Sequence, residues 1–231
     1  MRDEPLLEQD VHPDPIRQFL RWFDEAVAAG QPEPEAMAVA TSTAAGEPSV
    51  RFVLLRGIDE RGFVFYTNGR SRKGRDVTSN PRAALVFRWW TVERQVRVSG
   101  PVAPVEPGES DAYFRRRPRG AQLSAWASAQ SEPLDSRATL DRQLEVVSGR
   151  FAGRDVPRPP WWGGFRVRPT EVELWQGRRD RLHDRLAYRL VAGHWRIQRS
   201  FYADWYASSA MYAYIFGQVH AALNPDARSL N

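Results

Sequence analysis

Cysteine is absent from the 231-residue sequence. Its absence excludes disulfide bonds, thiolate nucleophiles and cysteine-ligated metals, and it is compatible with a cytoplasmic location. No run of about 18 apolar residues occurs, so we expect no membrane-spanning helix and no membrane partner. The first residues, MRDEPLLEQD, contain no apolar segment of the kind found in secretion signals.

Several common motifs are also missing. There is no GxGxxG after a strand and no GxxxxGK[ST], which argues against Rossmann and P-loop sites. There is no GxSxG, which argues against a serine hydrolase of that type. The four histidines, His12, His183, His194 and His220, are far apart, so we expect no metal site. The net charge of +5 is modest and comes without a dense basic stripe, so we expect no nucleic-acid partner.

The hydrophobic pattern begins with a helix and continues mainly as strands. Asp14 can cap the helix, Pro15 suits its first position and Gly30 suits its end. Short apolar stretches separated by tight turns follow, such as AMAVATST and SVRFVLLRGI. This pattern predicts a mainly β fold with flanking helices, in which an antiparallel sheet closes into a barrel.

The second half predicts two further helices, around residues 109–116 and 135–151, and three final strands in GFRVRPTEVELWQG and RLHDRLAYRLVAGHWRIQR. Within RLHDR, a β-strand would place Arg181, His183 and Arg185 on one face. Three such groups suit an anion or a polar heteroaromatic ring better than a core.

The stretch TNGRSRKGRDVTSN follows a predicted strand. Ser71 can cap a short helix whose first turn holds Arg72 and Lys73. Cations in a first turn oppose the helix dipole, so the arrangement favours an anion bound there, which Arg51 on a preceding strand could also reach. The alternative is a solvated basic loop.

The stretch YFRRRPRGAQ contains a second candidate anion site. Tyr113 and Arg117 are four positions apart, so on a helix they face the same way. The pair could hold a phosphate, or it could be a solvated helix end.

These stretches together resemble the pyridoxine/pyridoxamine 5′-phosphate oxidase family. The motifs are RFVLLRG, FYTN..SRKG, NPRAALVF.W...ERQV, YFRRRPRGAQ, AWAS.QS, WGGFRV and E.WQGR..RLHDR. The resemblance implies an antiparallel FMN-binding split β-barrel, homodimeric, with FMN at the subunit interface. It divides the chain into an N-terminal segment (1–13), the split-barrel domain with its dimerisation strands (14–199) and an atypical aromatic helical tail (200–231).

The resemblance also implies roles for individual residues. The residues implied to bind FMN are Arg51, Tyr66, Thr67, Ser71, Arg72, Lys73, Gln95, Gln130, Ser131, Trp175 and Arg185. The residues implied to hold the substrate phosphate are Arg56, Tyr113 and Arg117. Arg181 and His183 are the implied catalytic residues and lie over and beside the substrate's pyridine ring.

The implied chemistry is oxidation of pyridoxine or pyridoxamine 5′-phosphate at the exocyclic C4′. A hydride passes to the flavin, pyridoxal 5′-phosphate is released, and molecular oxygen reoxidises the flavin to give hydrogen peroxide. One alternative is an FMN-dependent oxidase of the same fold acting on another heteroaromatic substrate, as in the phenazine-type relatives. Another is a flavin- or pyridoxal-phosphate-binding carrier without turnover.

Four features depart from the family pattern. Arg56 stands where the family usually has lysine, Ala121 where some members have a phosphate-binding serine, and Pro5 where a tyrosine closes over the substrate. The tail, 200–231, is the fourth. Its aromatic residues at helical spacing predict a helix that packs on the barrel or dimer, or alternatively covers the substrate site.

Overall fold

The computed structural model of the chain describes residues 4–179 and 182–200. This part contains helices α1 (Pro15–Ala28), α2 (Arg72–Ser79), α3 (Pro107–Arg116), α4 (Arg119–Ala127) and α5 (Arg137–Arg150). Its strands are β1 (Ala36–Ser42), β2 (Pro48–Leu54), β3 (Gly57–Asp59), β4 (Gly62–Asn68), β5 (Arg82–Trp89), β6 (Arg94–Pro104), β7 (Trp162–Val167), β8 (Glu171–Gln176), β9 (Asp184–Val191) and β10 (His194–Arg199). No helix in these two ranges is long and apolar enough to cross a membrane.

The strands form one antiparallel sheet with the main order β10-β9-β8-β6-β5-β1-β2. The other part of the sheet consists of β7, β4 and β3. Strand β4 lies in the middle and pairs with β7 on one side and with β3 on the other. The long strand β6 belongs to both parts, because it pairs with β8 near its start and with β7 at residues 102–104. The curled antiparallel sheet with flanking helices confirms the predicted fold class.

Helix α1 packs into the core between the two parts of the sheet. Asp14 caps it as predicted, since its carboxylate accepts the N–H of Ile16 at 2.8 Å. The ring of Phe19 is fully buried and lies 4.9 Å from Phe63 of β4 and 4.8 Å from Phe87 of β5. Burial of a ring of this size contributes about 1.5–3 kcal/mol. The helix therefore fixes β4 relative to β5.

Two predictions about the second half were wrong. Among the described residues, four strands and not three follow the Pro-rich connector, because the chain turns at residues 168–170 and separates β7 from β8. Helix α4 was not predicted. Its sequence, RGAQLSAWA, has no regular apolar stripe, and it follows a proline.

The prediction that RLHDR forms a strand throughout was also wrong. Strand β9 begins only at Asp184, and His183 precedes it. The Nδ1 atom of His183 accepts the backbone N–H of Arg178 at 3.0 Å, so this side chain closes a turn. Arg181 lies outside the described residues, as does the helix predicted over 201–231.

Candidate active site

A cavity of about 710 Å³ opens between β2, β4, α3 and α4. Its walls include eight of the residues that the family resemblance had suggested as ligand-binding: Arg51, Arg56, Tyr66, Thr67, Lys73, Tyr113, Arg117 and Gln130. Ala121 also lines the cavity. The volume lies in the range typical of small-molecule sites.

The ammonium group of Lys73 is held at the start of α2. Its Nζ donates to Thr67 Oγ1 at 3.0 Å and to Ser71 Oγ at 3.4 Å. Ser71 caps α2 as predicted, since its Oγ accepts the N–H of Gly74. Lys73 is only 7% exposed, and none of the described carboxylates forms an ion pair with it. Burial, with a further contribution from the charge of Arg51, lowers the pKa of Lys73 from 10.5 to about 8.

Arg51 reaches the same region from β2 and is held by a polar network. Its guanidinium donates to Thr41 Oγ1 at 2.7 Å and to the Ser49 hydroxyl. Both hydroxyls donate to Asp76 of α2, at 2.6 and 2.9 Å. The Arg51–Asp76 ion pair itself is longer, at 3.8 Å. Strand β2 and helix α2 therefore present two fixed cations, Arg51 and Lys73, on one cavity wall.

Aromatic rings form another part of the cavity wall. Tyr66 of β4 stacks on Tyr113 of α3 with ring centroids 4.0 Å apart and an angle of 11°. It also lies parallel to Trp162, at 5.4 Å. Burial raises the pKa of the Tyr66 phenol, so this group stays protonated near neutral pH. The stack offers flat apolar surface for a ring-shaped ligand.

Arg117 lies beside this stack with part of its hydrogen-bonding capacity unused. Its guanidinium is 4.7 Å from the Trp162 ring and 5.6 Å from the Phe114 ring. Within the part of the chain that the structure describes, its buried Nη1 atom has no hydrogen-bond partner. Burial lowers the pKa of Arg117. Because an unsatisfied buried donor is costly, this atom indicates an anionic ligand in the cavity.

A second group of predicted residues lies elsewhere on the sheet. Arg88, Gln95, Trp175 and Arg185 occupy matched positions on β5, β6, β8 and β9 and form one row across these strands. The His183 ring is 4.6 Å from the Trp175 ring. The Arg88 guanidinium lies 5.0 Å from the Trp175 ring on the same row. Four residues suggested by the resemblance are thus brought together with Arg88, which it had not suggested.

The row does not line the cavity of its own chain. Gln95, Trp175, His183 and Arg185 are absent from the cavity walls. Arg72 and Ser131, which the resemblance also suggested as FMN contacts, are exposed and lie outside those walls.

Strand β2 borders the cavity and is an edge of the sheet. Its outward-facing Phe52 is 80% exposed and its Val50 is 68% exposed. Phe52 also lines the cavity. Large apolar side chains exposed on an edge strand are unusual for a surface that faces water.

Sequence reasoning assigned no role to Trp162 or Arg88. Trp162 stood within a quoted motif, but its stacking depends on the pairing of β7 with β4. Arg88 fell at a position that the motif leaves variable, and only its strand pairing with Gln95 brings it near Trp175. A cation–aromatic contact across strands has no signal in linear spacing.

Comparisons with known proteins show which family the chain resembles. The family model described as pyridoxamine 5′-phosphate oxidase matches residues 23–151. The model described as the pyridoxine 5′-phosphate oxidase C-terminal dimerisation region matches residues 162–201. The first range contains the cavity-lining residues except Trp162, and the second contains Trp162, Trp175, His183 and Arg185.

Curated relatives cover most of the chain. A pyridoxine/pyridoxamine 5′-phosphate oxidase of Rubrobacter xylanophilus is 59% identical over 191 residues, which are 83% of this chain and 88% of that protein. One from Cupriavidus taiwanensis is 57% identical over 195 residues, covering 84% and 92%.

Among solved structures, PhzG from Burkholderia lata, in complex with tetrahydrophenazine-1-carboxylic acid, superposes with a TM-score of 0.81. It is 34% identical and covers 86% of this chain and 98% of its own. An FMN-binding protein from Nostoc punctiforme, with a TM-score of 0.64 and 16% identity over 79% of this chain and 96% of its own, shares the fold. From the matched family models and the identity over most of its length, the chain belongs to the pyridoxine/pyridoxamine 5′-phosphate oxidase family.

Proposed function

We propose that the protein oxidises pyridoxine 5′-phosphate and pyridoxamine 5′-phosphate to pyridoxal 5′-phosphate, with FMN as cofactor and molecular oxygen as acceptor. The observation that carries the proposal is one cavity with cations on separate elements and an aromatic wall. Lys73 and Arg51 belong to α2 and β2, whereas Arg117 follows α3. Two phosphorylated ring compounds, a flavin nucleotide and a pyridine, match such a donor set.

The residues present fit FMN. Lys73, Arg51 and Thr67 would hold its phosphate, because they offer two cations and a hydroxyl on the cavity wall. Gln130 would contact the cofactor as well, since its side chain meets Thr67 at 3.1 Å. Arg72 and Ser131 remain predicted FMN contacts. When bound, FMN supplies two-electron oxidation, with O2 as the final acceptor and hydrogen peroxide as the product.

Arg117 would hold the substrate phosphate, together with Arg56 and Tyr113. The Nη1 of Arg117 supports this role, because it has no hydrogen-bond partner among the described residues and a phosphate oxygen would satisfy it. Arg56 already forms a long ion pair with Glu35, at 3.8 Å, so it would be shared between that carboxylate and the ligand. Anchoring the phosphate far from the reacting carbon would orient the substrate.

His183 would act on the substrate ring with a defined tautomer. Its Nδ1 accepts the Arg178 N–H, so in the neutral imidazole the proton resides on Nε2. Arg181 keeps its predicted role as an electrostatic and steric clamp.

We further propose that the protein is a homodimer whose two sites each use both subunits. The row of Gln95, Trp175 and Arg185 would complete the cavity of a second copy, and the exposed Phe52 of β2 would be covered there. The match of residues 162–201, which contain Trp175 and Arg185, to a dimerisation region supports the assignment.

Mixed dimers test the shared site. Lys73→Met removes a group from the cavity, and Arg185→Gln removes one from the row. Dissociating and remixing the two inactive variants should restore about a quarter of wild-type activity, because half of the dimers are mixed and each has one intact site. No recovery, with mixed dimers demonstrated by differential tagging, would place each site within a single chain.

Anaerobic titration of the flavin-loaded protein with pyridoxine 5′-phosphate tests the activity itself. We expect the flavin absorbance to bleach and to return on admitting air, with release of pyridoxal 5′-phosphate. The similarity to PhzG favours one alternative, a non-phosphorylated heteroaromatic acid. Bleaching by such an acid but not by pyridoxine 5′-phosphate would contradict our proposal.

A further inference from the structure

Lys73 is the only lysine in the sequence. Apart from the α-amino group, it is therefore the only primary amine of the chain. It lies on the wall of the cavity, it is 7% exposed, and its Nζ is positioned by the Thr67 hydroxyl. A buried amine facing a ligand cavity is a possible nucleophile as well as a cation.

We propose that Lys73, in the chain without flavin, captures phosphorylated aromatic aldehydes by forming an imine, and that this capture excludes FMN. The aldehyde is identified through the proposed function, because pyridoxal 5′-phosphate is its product. The neutral Nζ attacks the aldehyde carbon, a C=N bond replaces the C=O bond, and the oxygen leaves as water. No oxidant or reductant is needed.

The surroundings of Lys73 favour this reaction. Arg56 and Arg117 line the same cavity and would attract the phosphate of the aldehyde. The lowered pKa of Lys73, about 8, makes roughly a quarter of the amine neutral at a pH near 7.5, against about 0.1% for a pKa of 10.5. The charged group that acts on Nζ is Arg51 from β2, which disfavours protonation, and Asp76 of α2 is paired with Arg51.

Capture and flavin binding would compete for one atom. The proposed FMN phosphate contact uses the Nζ of Lys73 as a donor, whereas the imine uses its lone pair. Product aldehyde would therefore delay flavin incorporation into newly made chains and leave loaded protein unaffected. This couples the supply of active enzyme to the level of its product.

The experiment uses the full-length protein after removal of flavin. It is incubated with pyridoxal 5′-phosphate, reduced with borohydride, digested and mapped by mass spectrometry. We expect an adduct on Lys73 that saturates near one per chain. Preloading with FMN should lower the Lys73 adduct at least about tenfold and leave any adduct on the α-amino group unchanged. Pyridoxal, which lacks the phosphate, should label Lys73 more slowly.

Lys73→Arg is the matched control, because it keeps the charge but has no primary amine. It should lose the internal adduct, and if it fails to fold, the peptide map of the wild-type chain decides alone. Label only on the α-amino group, or Lys73 label that FMN does not reduce, would overturn the proposal. Turnover is measured separately, so capture without turnover would contradict only the proposed function, and turnover without capture only this inference.

Discussion

Replacing Arg117 by methionine should weaken substrate binding without weakening the fold. Methionine keeps much of the apolar contact with Trp162 but removes the charge. The guanidinium would give the substrate phosphate charge-assisted hydrogen bonds, each contributing about 1.5–3 kcal/mol. Loss of one such bond corresponds to a rise in KM of roughly 10- to 150-fold, with a smaller effect on kcat if the lost interaction is mainly one of binding.

The same substitution makes an opposite prediction for stability. Removing one partner of a buried ion pair typically costs about 3–5 kcal/mol. Arg117 is different, because its buried Nη1 has no partner among the described residues and its charge is partly desolvated. The variant would lose a cation–π contact with Trp162, which contributes about 0.5–2 kcal/mol. In return, the folded variant would no longer carry the free-energy cost of burying the guanidinium charge. The free energy of unfolding should therefore change little or rise.

Steady-state kinetics with pyridoxine 5′-phosphate and urea unfolding of the flavin-free protein measure the two effects. Arg115→Met is the matched control, because Arg115 is exposed at the end of α3, two residues before Arg117, and lies outside the cavity walls. It should change KM by less than about twofold, as expected for a surface substitution. An unchanged KM in Arg117→Met, or a stability loss of about 3 kcal/mol or more, would refute the proposal that Arg117 binds the substrate phosphate and lacks an ion-pair partner without it.

Three further predictions concern stability. Burial raises the pKa of Asp59, but the hydrogen bonds from Arg61 and the charges of Arg166 and Arg61 together outweigh it, so the pKa lies below its usual 3.8. Asp59→Asn should therefore destabilise the protein at neutral pH, and its difference in stability from wild type should vanish in acid unfolding as the pH falls below the lowered pKa. The pKa of Lys73 is lowered from 10.5 to about 8, so the unfolded chain binds more protons than the folded chain between these two pH values. Urea unfolding of the flavin-free protein should therefore show the free energy of unfolding rising by roughly 3 kcal/mol across this pH range. Lys73→Met should abolish the rise. Gly100→Ala would place a Cβ 1.9 Å from a backbone oxygen, and it should lower stability in thermal unfolding by about 1–3 kcal/mol or more. Gly149 lies on an exposed helix, where an added Cβ would meet no neighbouring atom within 4 Å. Gly149→Ala should therefore raise stability by up to about 1 kcal/mol.

Local chemistry explains the parts of the fold that the sequence predicted well. Asp14 and Ser71 each cap a helix in the structure, because a side-chain oxygen next to an unsatisfied N–H needs only neighbouring residues. Strands β1, β2, β4, β5 and β6 follow from apolar stretches bounded by turns. Helix α5 was also predicted; it has no fully buried residue, and Val147 of its apolar stripe packs, partly buried, against a cluster that includes Phe114 and Trp162.

The failures occur where a local pattern competes with tertiary contacts. RLHDR has the alternation of a strand, yet the bond from Arg178 to His183 and the contact of the His183 ring with Trp175 hold the histidine in a turn. Helix α4 has too little apolar periodicity to be recognised from the sequence. Its position depends on its packing against α5, and it borders the cavity. Neither outcome can be derived from spacing alone.

The candidate site shows the same division at a larger scale. The residues suggested by the resemblance separate into a cavity group, which includes Lys73 and Arg117, and a row, which includes Gln95 and Trp175, and the chain does not join them within itself. No periodicity in the sequence distinguishes the groups, because each draws on strands that are distant in the chain. The division becomes visible only once β6 is seen to pair with β8 on one side of the sheet and β2 is seen at its edge.

Two incomplete surfaces on one chain have a simple physical resolution. The cavity is bordered by Phe52, which is 80% exposed, and burial of such a ring would contribute about 1.5–3 kcal/mol. Trp175 and Arg185 of the row do not line that cavity. In a twofold-symmetric dimer, each surface meets its complement twice, so one apolar contact both stabilises association and completes two sites. The same energy that buries Phe52 would then position the groups that hold the flavin, which explains why the two groups can lie apart within a chain.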